Sequence, residues 1–175
     1  MKIAAIQMVS GMDVPTNLAT ARRLLEDAAR QGAELVLLPE YFCLMGQRDT
    51  DKLAWAETLG QGPIQAVLQN AARELGMWVV GGTLPLATDV PDRVANAVLA
   101  YNPQGECVAR YDKVHLFRFD NGTERYDESA VLAAGTLPVS FSCTPRNGPA
   151  LTVGLSVCYD LRFPELYRLL QADLI

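Results

Sequence analysis

The chain has 175 residues, half of them apolar and a fifth charged, the composition of an ordinary globular domain long enough for a sizeable core. Fifteen basic residues against 20 acidic ones leave a net charge of -5, and no basic stripe with interleaved aromatics occurs, so nucleic acid is not an expected partner. No Lys/Arg cluster lies beside a long apolar segment, which argues against a membrane surface or a span.

The opening Met1-Lys2-Ile3-Ala4-Ala5-Ile6-Gln7-Met8 breaks too early for a signal peptide and reads as a first strand over residues 2–8. Residues 17–30 carry Leu18, Ala21, Leu24, Leu25 and Ala28 at helical spacing, closed by Gln31-Gly32. Residues 34–38 form a continuous apolar run stopped by Pro39, the pattern of a strand buried on both faces. Strand, helix and strand within the first forty residues indicate an α/β architecture. A second helix is predicted over 64–74, ended by Gly76, and a third strand over 77–84.

Downstream the texture changes to strands at 94–101, 106–111, 137–143 and 151–157. The turn at Pro103-Gln104-Gly105 predicts a hairpin between the first two of these. A helix opens at Pro164-Glu165, and residues 172–175 read as the start of a further strand. No repeat, low-complexity tract or linker marks a domain boundary.

Cys43, Cys107, Cys143 and Cys158 are scattered without a CxxC spacing, and the one histidine, His115, does not complete a zinc set with them. Free thiols in a reducing cytoplasm are the expected state.

Three reactive side chains follow predicted strands: Glu40 after residues 34–38, Lys113 after the strand ending at Tyr111, and Cys158 after 151–157. Ligands collect outside the carboxyl ends of strands in α/β sheets, so an acid-base group, a cation and a thiol would converge at one rim. Such a set serves acyl transfer. Cys158 lies on a sharp polar turn before a helix, a setting expected to favour its thiolate. Position alone leaves bland alternatives open. Glu40 is then a solvated or capping acid, Lys113 a surface charge, Cys158 a small buried hydrophobe and His115 a structural ring.

Three blocks carry a resemblance. Leu37-Leu38-Pro39-Glu40-Tyr41-Phe42, Tyr111-Asp112-Lys113-Val114-His115-Leu116-Phe117 and Ser156-Val157-Cys158-Tyr159-Asp160-Leu161-Arg162-Phe163-Pro164-Glu165 resemble, in order, the glutamate, lysine and cysteine blocks of the nitrilase superfamily of carbon-nitrogen hydrolases. The last two runs look closest to its ω-amidase and deaminated-glutathione-amidase branch. The resemblance covers the whole chain, residues 1–175, read as the N-terminal portion of one such domain. It implies an α-β-β-α sandwich, here expected to be incomplete at the C-terminal end.

It also implies hydrolysis of a small carboxylic amide to acid and ammonia through a thioester, with no cofactor and no metal. Cys158 is the implied nucleophile, Glu40 the general base, and Lys113 the cation. The backbone N–H of Tyr159 is the implied oxyanion donor and Glu128 a second acid near the lysine; a solvated loop acid is the other reading of Glu128. His115 is read as a neighbour within the lysine block. Tyr41, Phe42 and Phe117 are assigned to the pocket or the core, and Arg162 and Glu165 to ion pairs bracing the cysteine turn or to a dimer surface. A homo-oligomer is the expected assembly. Nitrile or N-carbamoyl hydrolysis is the alternative chemistry, and a catalytically idle fragment or interaction subunit the alternative class.

Overall fold

The chain begins with β1 (Ile3–Ala5) and then α1 (Val14–Arg30). The helix starts three residues before the predicted position because Asp13 caps it, accepting from Thr16 N at 2.9 Å, and Pro15 fits its first turn. β2 (Leu35–Leu37) follows, then a 3-10 turn over Asp49–Trp55 and α2 (Pro63–Leu75). The buried Glu57 carboxylate accepts from the first free amides of α2, Ile64 N at 2.6 Å and Gln65 N at 3.1 Å. Gly76, left-handed, ends the helix as predicted.

The strand predicted over 77–84 is in fact divided into β3 (Trp78–Val80) and β4 (Leu84–Ala87). Both lie along β5 (Val94–Tyr101), β3 against its end and β4 against its start, and the break at Gly81-Gly82 makes the bend between them. β5 turns into β6 (Cys107–Asp112) through the predicted hairpin. A small ribbon of β7 (Arg118–Asp120) and β8 (Arg125–Asp127) comes next, then β9 (Leu132–Ala133). β10 (Ser140–Cys143) and β11 (Leu151–Gly154) form a separate antiparallel pair, and α3 (Pro164–Leu170) closes the ordered elements. The strand expected over 172–175 is reduced to one bridge, Leu174 beside Val153.

β1, β2 and β3 are parallel, in the order β1-β2-β3-β5, and β6 and β9 lie along the other side of β5. The computed structural model describes residues 1–175 as three layers: helices, main sheet, and β10–β11. Alternation along the strands sorts the faces. Val36, Leu38, Val79, Ala97 and Leu99 pack against Leu18, Leu25, Ile64 and Leu68 of the two long helices. Leu35, Val80, Val98, Ala100 and Tyr111 meet Phe141, Val153, Leu155 and Val157 on the opposite face. Each fully buried aliphatic side chain here contributes about 2 kcal/mol.

One part of the expectation fails. Leu37, on the same face as Leu35, remains 43% exposed, and Ile3, the β1 partner of Leu35, 44%. β2 is therefore not buried on both faces along its length, because β10–β11 covers the middle of the sheet and stops short of this corner.

Candidate active site

Glu40 leaves the sheet where Pro39 ends the β2 ladder, just after Leu38 N bonds Val80 O at 3.0 Å. The segment is pressed against the β3–β4 bend. Gly82, at φ +53°, passes so close that an added Cβ would collide with the Pro39 carbonyl oxygen. Tyr41 is itself left-handed, φ 56°, and is held there by its N–H donating to Thr83 Oγ1 at 2.8 Å. The glutamate is aimed by Asn96, a buried residue of β5, whose amide donates to Glu40 Oε1 at 2.9 Å.

Lys113 follows β6 and is anchored by its own N–H, which donates to Asn96 O at 3.1 Å. Its side chain is wholly buried, and its ammonium bridges two carboxylates: Glu40 Oε1 at 3.2 Å and Glu128 Oε2 at 2.9 Å. Burial works against this charge, but Glu40 and Glu128 outweigh it and raise the lysine pKa above its ordinary value. Glu128 also accepts from Phe117 N at 2.7 Å and from the Tyr41 hydroxyl at 3.3 Å. It thereby closes the base of the β7–β8 ribbon while holding the lysine.

Cys158 opens a 3-10 turn over Cys158–Arg162, at φ 49°, and is exposed. A non-glycine residue in that conformation stores strain and turns its side chain out of the chain's path. The expectation of a favoured thiolate is overturned. Partial desolvation of the thiol by its surroundings and the negative charge of Glu40 raise its pKa, and Lys113 only partly offsets them. The helix cannot help, since α3 begins at Pro164, beyond the turn. The N–H of Tyr159 makes no hydrogen bond within the chain, while its ring packs edge-on against Phe117 and Phe163.

Glu40 and Cys158 share the wall of an open, mostly apolar cavity of about 320 Å³. It lies at the uncovered corner of the sheet, between Ile3, Leu37 and Val98 on one side and Val153, Leu155 and Ile175 on the other. No group of three or more His, Cys, Asp or Glu side chains is arranged to hold a metal ion.

The structure thus brings Glu40, Lys113, Glu128 and Cys158 together, with the Tyr159 amide beside the thiol. Of the two readings left open for Phe42, the core is the one observed: it is fully buried on the helix side. Another expectation is corrected. Arg162 and Glu165 are both exposed; Glu165 pairs only with Arg168, at 4.0 Å, so neither braces the turn. That work falls to Asp160, which sequence reasoning passed over together with Asn96. Only the burial of each, Asp160 completely and Asn96 to 2% exposure, reveals it.

Comparison with known proteins identifies the family and the fold. The profile of the carbon-nitrogen hydrolase family matches residues 2–174. The chain belongs to that family. It is 39% identical to the deaminated glutathione amidase of Synechocystis sp., covering 96% of this chain and 61% of the relative. It is 32% identical to the chloroplastic omega-amidase of Arabidopsis thaliana, over 97% of this chain and 45% of that one. The chain therefore spans about half to three fifths of the length of these curated relatives. Among solved structures, an amidase from Nesterenkonia sp. superposes with a TM-score of 0.77 at 29% identity, covering 96% of this chain and 59% of the other. A variant of that amidase carries acrylamide joined by Michael addition to its active-site cysteine. The fold is the mixed α/β fold of nitrilase-superfamily structures.

Proposed function

We propose that this site hydrolyses a small carboxylic amide to a carboxylic acid and ammonia through a thioester on Cys158. The observation that carries the reading is one buried ammonium, Lys113, bonded to both Glu40 and Glu128 beside an exposed thiol in a strained turn. A thiol whose pKa is raised needs a base at the moment of attack, and Glu40 shares the cavity wall with it. Glu40 takes the Cys158 proton as sulfur bonds the amide carbon. The carbonyl oxygen becomes an oxyanion that faces the free Tyr159 N–H and an ammonium proton of Lys113. Each such donor lowers the barrier by about 3 kcal/mol.

Glu40 then returns its proton to the departing nitrogen, ammonia leaves, and the thioester remains. Glu40 next deprotonates water, which adds to the thioester carbon and releases the acid and the Cys158 thiol. Relatives named as amidases support the amide over the nitrile or N-carbamoyl alternative. The two cores that share one main sheet support reading residues 1–175 as one domain. Four free cysteines support a reducing, cytoplasmic setting, and the apolar corner at Ile3, Leu37 and Ile175 supports self-association. The test is ammonia release from a panel of small carboxamides. Cys158→Ala abolishes it on this reading, and unchanged release overturns it.

A further inference from the structure

The site described so far contains a lysine on one segment and a cysteine on another, and nothing in their own contacts fixes the spacing between them. A fully buried carboxylate does. Asp160 Oδ1 accepts from His115 N at 3.0 Å and lies 2.7 Å from His115 Nδ1. Its Oδ2 accepts from the Tyr111 hydroxyl at 2.7 Å and from Val157 N at 2.8 Å. Tyr111 and His115 stand on either side of Lys113, and Val157 directly precedes Cys158. Oδ1 thus takes both of its partners from His115, on the lysine segment, and Oδ2 takes one from Tyr111 and one from Val157 of its own turn, so both oxygens are saturated.

We propose that Asp160 is a positioning residue that clamps the Lys113 segment to the Cys158 turn and so sets the distance between cation and nucleophile. The Tyr111 hydroxyl, which also accepts from Val114 N at 3.3 Å, and the His115 ring are its two side-chain arms. Phe163 stacks flat on that ring with centroids 3.6 Å apart, so the far end of the turn is gripped as well. An unsatisfied carboxylate with no exposure would be costly, so four donors converging on one is a built feature. The strained φ of 49° at Cys158 needs such restraint, because released backbone relaxes to the ordinary regions.

The inference rests on the hydrolase reading for its catalytic consequence, but not for its effect on the thiol. Asparagine at 160 keeps the size and offers only one oxygen, so two donors lose their acceptor. Phenylalanine at 111 removes a single hydroxyl and one arm of the clamp. The groups facing the Cys158 thiol are Glu40, Lys113 and Glu128. A loosened turn moves the thiol away from the carboxylates and into solvent.

The experiment measures acrylamide addition to Cys158 against pH, by peptide mass spectrometry, in the full chain and in Asp160→Asn and Tyr111→Phe, with Cys107 as internal reference. The expected result is a midpoint for Cys158 that falls toward that of an unconstrained thiol in both variants, while the Cys107 profile stays fixed. Turnover of a small carboxamide is followed in parallel, with kcat lowered about 10- to 100-fold and KM within about twofold. A midpoint shift in a chain that turns over no amide supports the clamp and removes the hydrolase reading. Amide turnover with neither midpoint nor kcat altered in Tyr111→Phe and Asp160→Asn overturns the clamp. Should Asp160→Asn fail to fold, Tyr111→Phe alone decides by the same two readouts.

Discussion

Lys113 and Glu128 form an ion pair in which the ammonium reaches both carboxylate oxygens, at 3.0 and 2.9 Å, with the lysine side chain wholly out of solvent. Glu128 retains 19% side-chain exposure and Glu40 23%, so the cluster is open on its carboxylate side only. Removing the cation leaves two close carboxylates facing each other. Lys113→Met is therefore expected to destabilise the fold by about 3 kcal/mol, read as a lowered urea midpoint at unchanged m-value. A midpoint equal to wild type would contradict the pair's structural weight.

The same pair sets an alkaline limit. The folded pKa of Lys113 is raised above its ordinary value of 10.5. Its contribution to stability is fully present below pH 10.5 and is lost as pH rises through the folded value. Burial raises the Tyr111 phenol as well, reinforced by Asp160, so it loses stability in the same direction above its ordinary value of 10.0. Thermal melts above pH 10.5 should show a steeper decline in wild type than in Lys113→Met. Parallel slopes would remove Lys113 from the account.

Thiol chemistry gives a sign test of the site's electrostatics. The negative charge of Glu40 raises the Cys158 pKa, and the positive charge of Lys113 lowers it. Glu40→Gln should therefore shift the pH midpoint of iodoacetamide labelling at Cys158 downward, and Lys113→Met should shift it upward. Cys143, pushed up to about 11 by burial, and Cys43, pushed up to about 12, should stay unlabelled near neutral pH. Shifts in the same direction in both variants would show that the three side chains do not face one another.

Gly82 is expected to tolerate no side chain. Its φ of +53° and its approach to the Pro39 carbonyl together predict that Gly82→Ala costs about 3 kcal/mol. Circular dichroism melts measure the stability loss. A melt within error of wild type would mean that the Glu40 segment does not lean on the β3–β4 bend.

Asn96 aims Glu40 from the sheet. Asn96→Leu removes the amide that donates to Glu40 Oε1 and puts an apolar chain against the carboxylate. The expected outcome, on the proposed function, is a loss of about tenfold or more in kcat for a small carboxamide, with the Cys158→Ala variant as the zero. An unaltered kcat would assign Asn96 to packing alone.

The sequence by itself determined the two long helices, most of the main-sheet strands and the order of the reactive residues. β5 and the hairpin to β6 were legible because a run of apolar and β-branched residues is bounded by Arg93 and by Asn102-Pro103-Gln104-Gly105, local chemistry that needs no partner. Glu40, Lys113 and Cys158 could be named because each follows a strand in a block whose pattern resembles one family. The bend at Gly81-Gly82 was not legible, since Gly82 is needed only where the Pro39 carbonyl passes close to it, and that contact joins residues far apart in the chain.

Tertiary structure alone decided which polar residues are buried. Asp160 reads as one more acid in a polar turn, and Asn96 as an interruption in an apolar strand. Folding places Asp160 between the Lys113 segment and the Cys158 turn and Asn96 beside Glu40, and only the removal of water makes their hydrogen bonds obligatory. The direction of the Cys158 shift was decided in the same way. Sequence supplies a thiol near a helix and a lysine; the fold sets the sign, because desolvation of the thiol and then the charge of Glu40 outweigh the lysine.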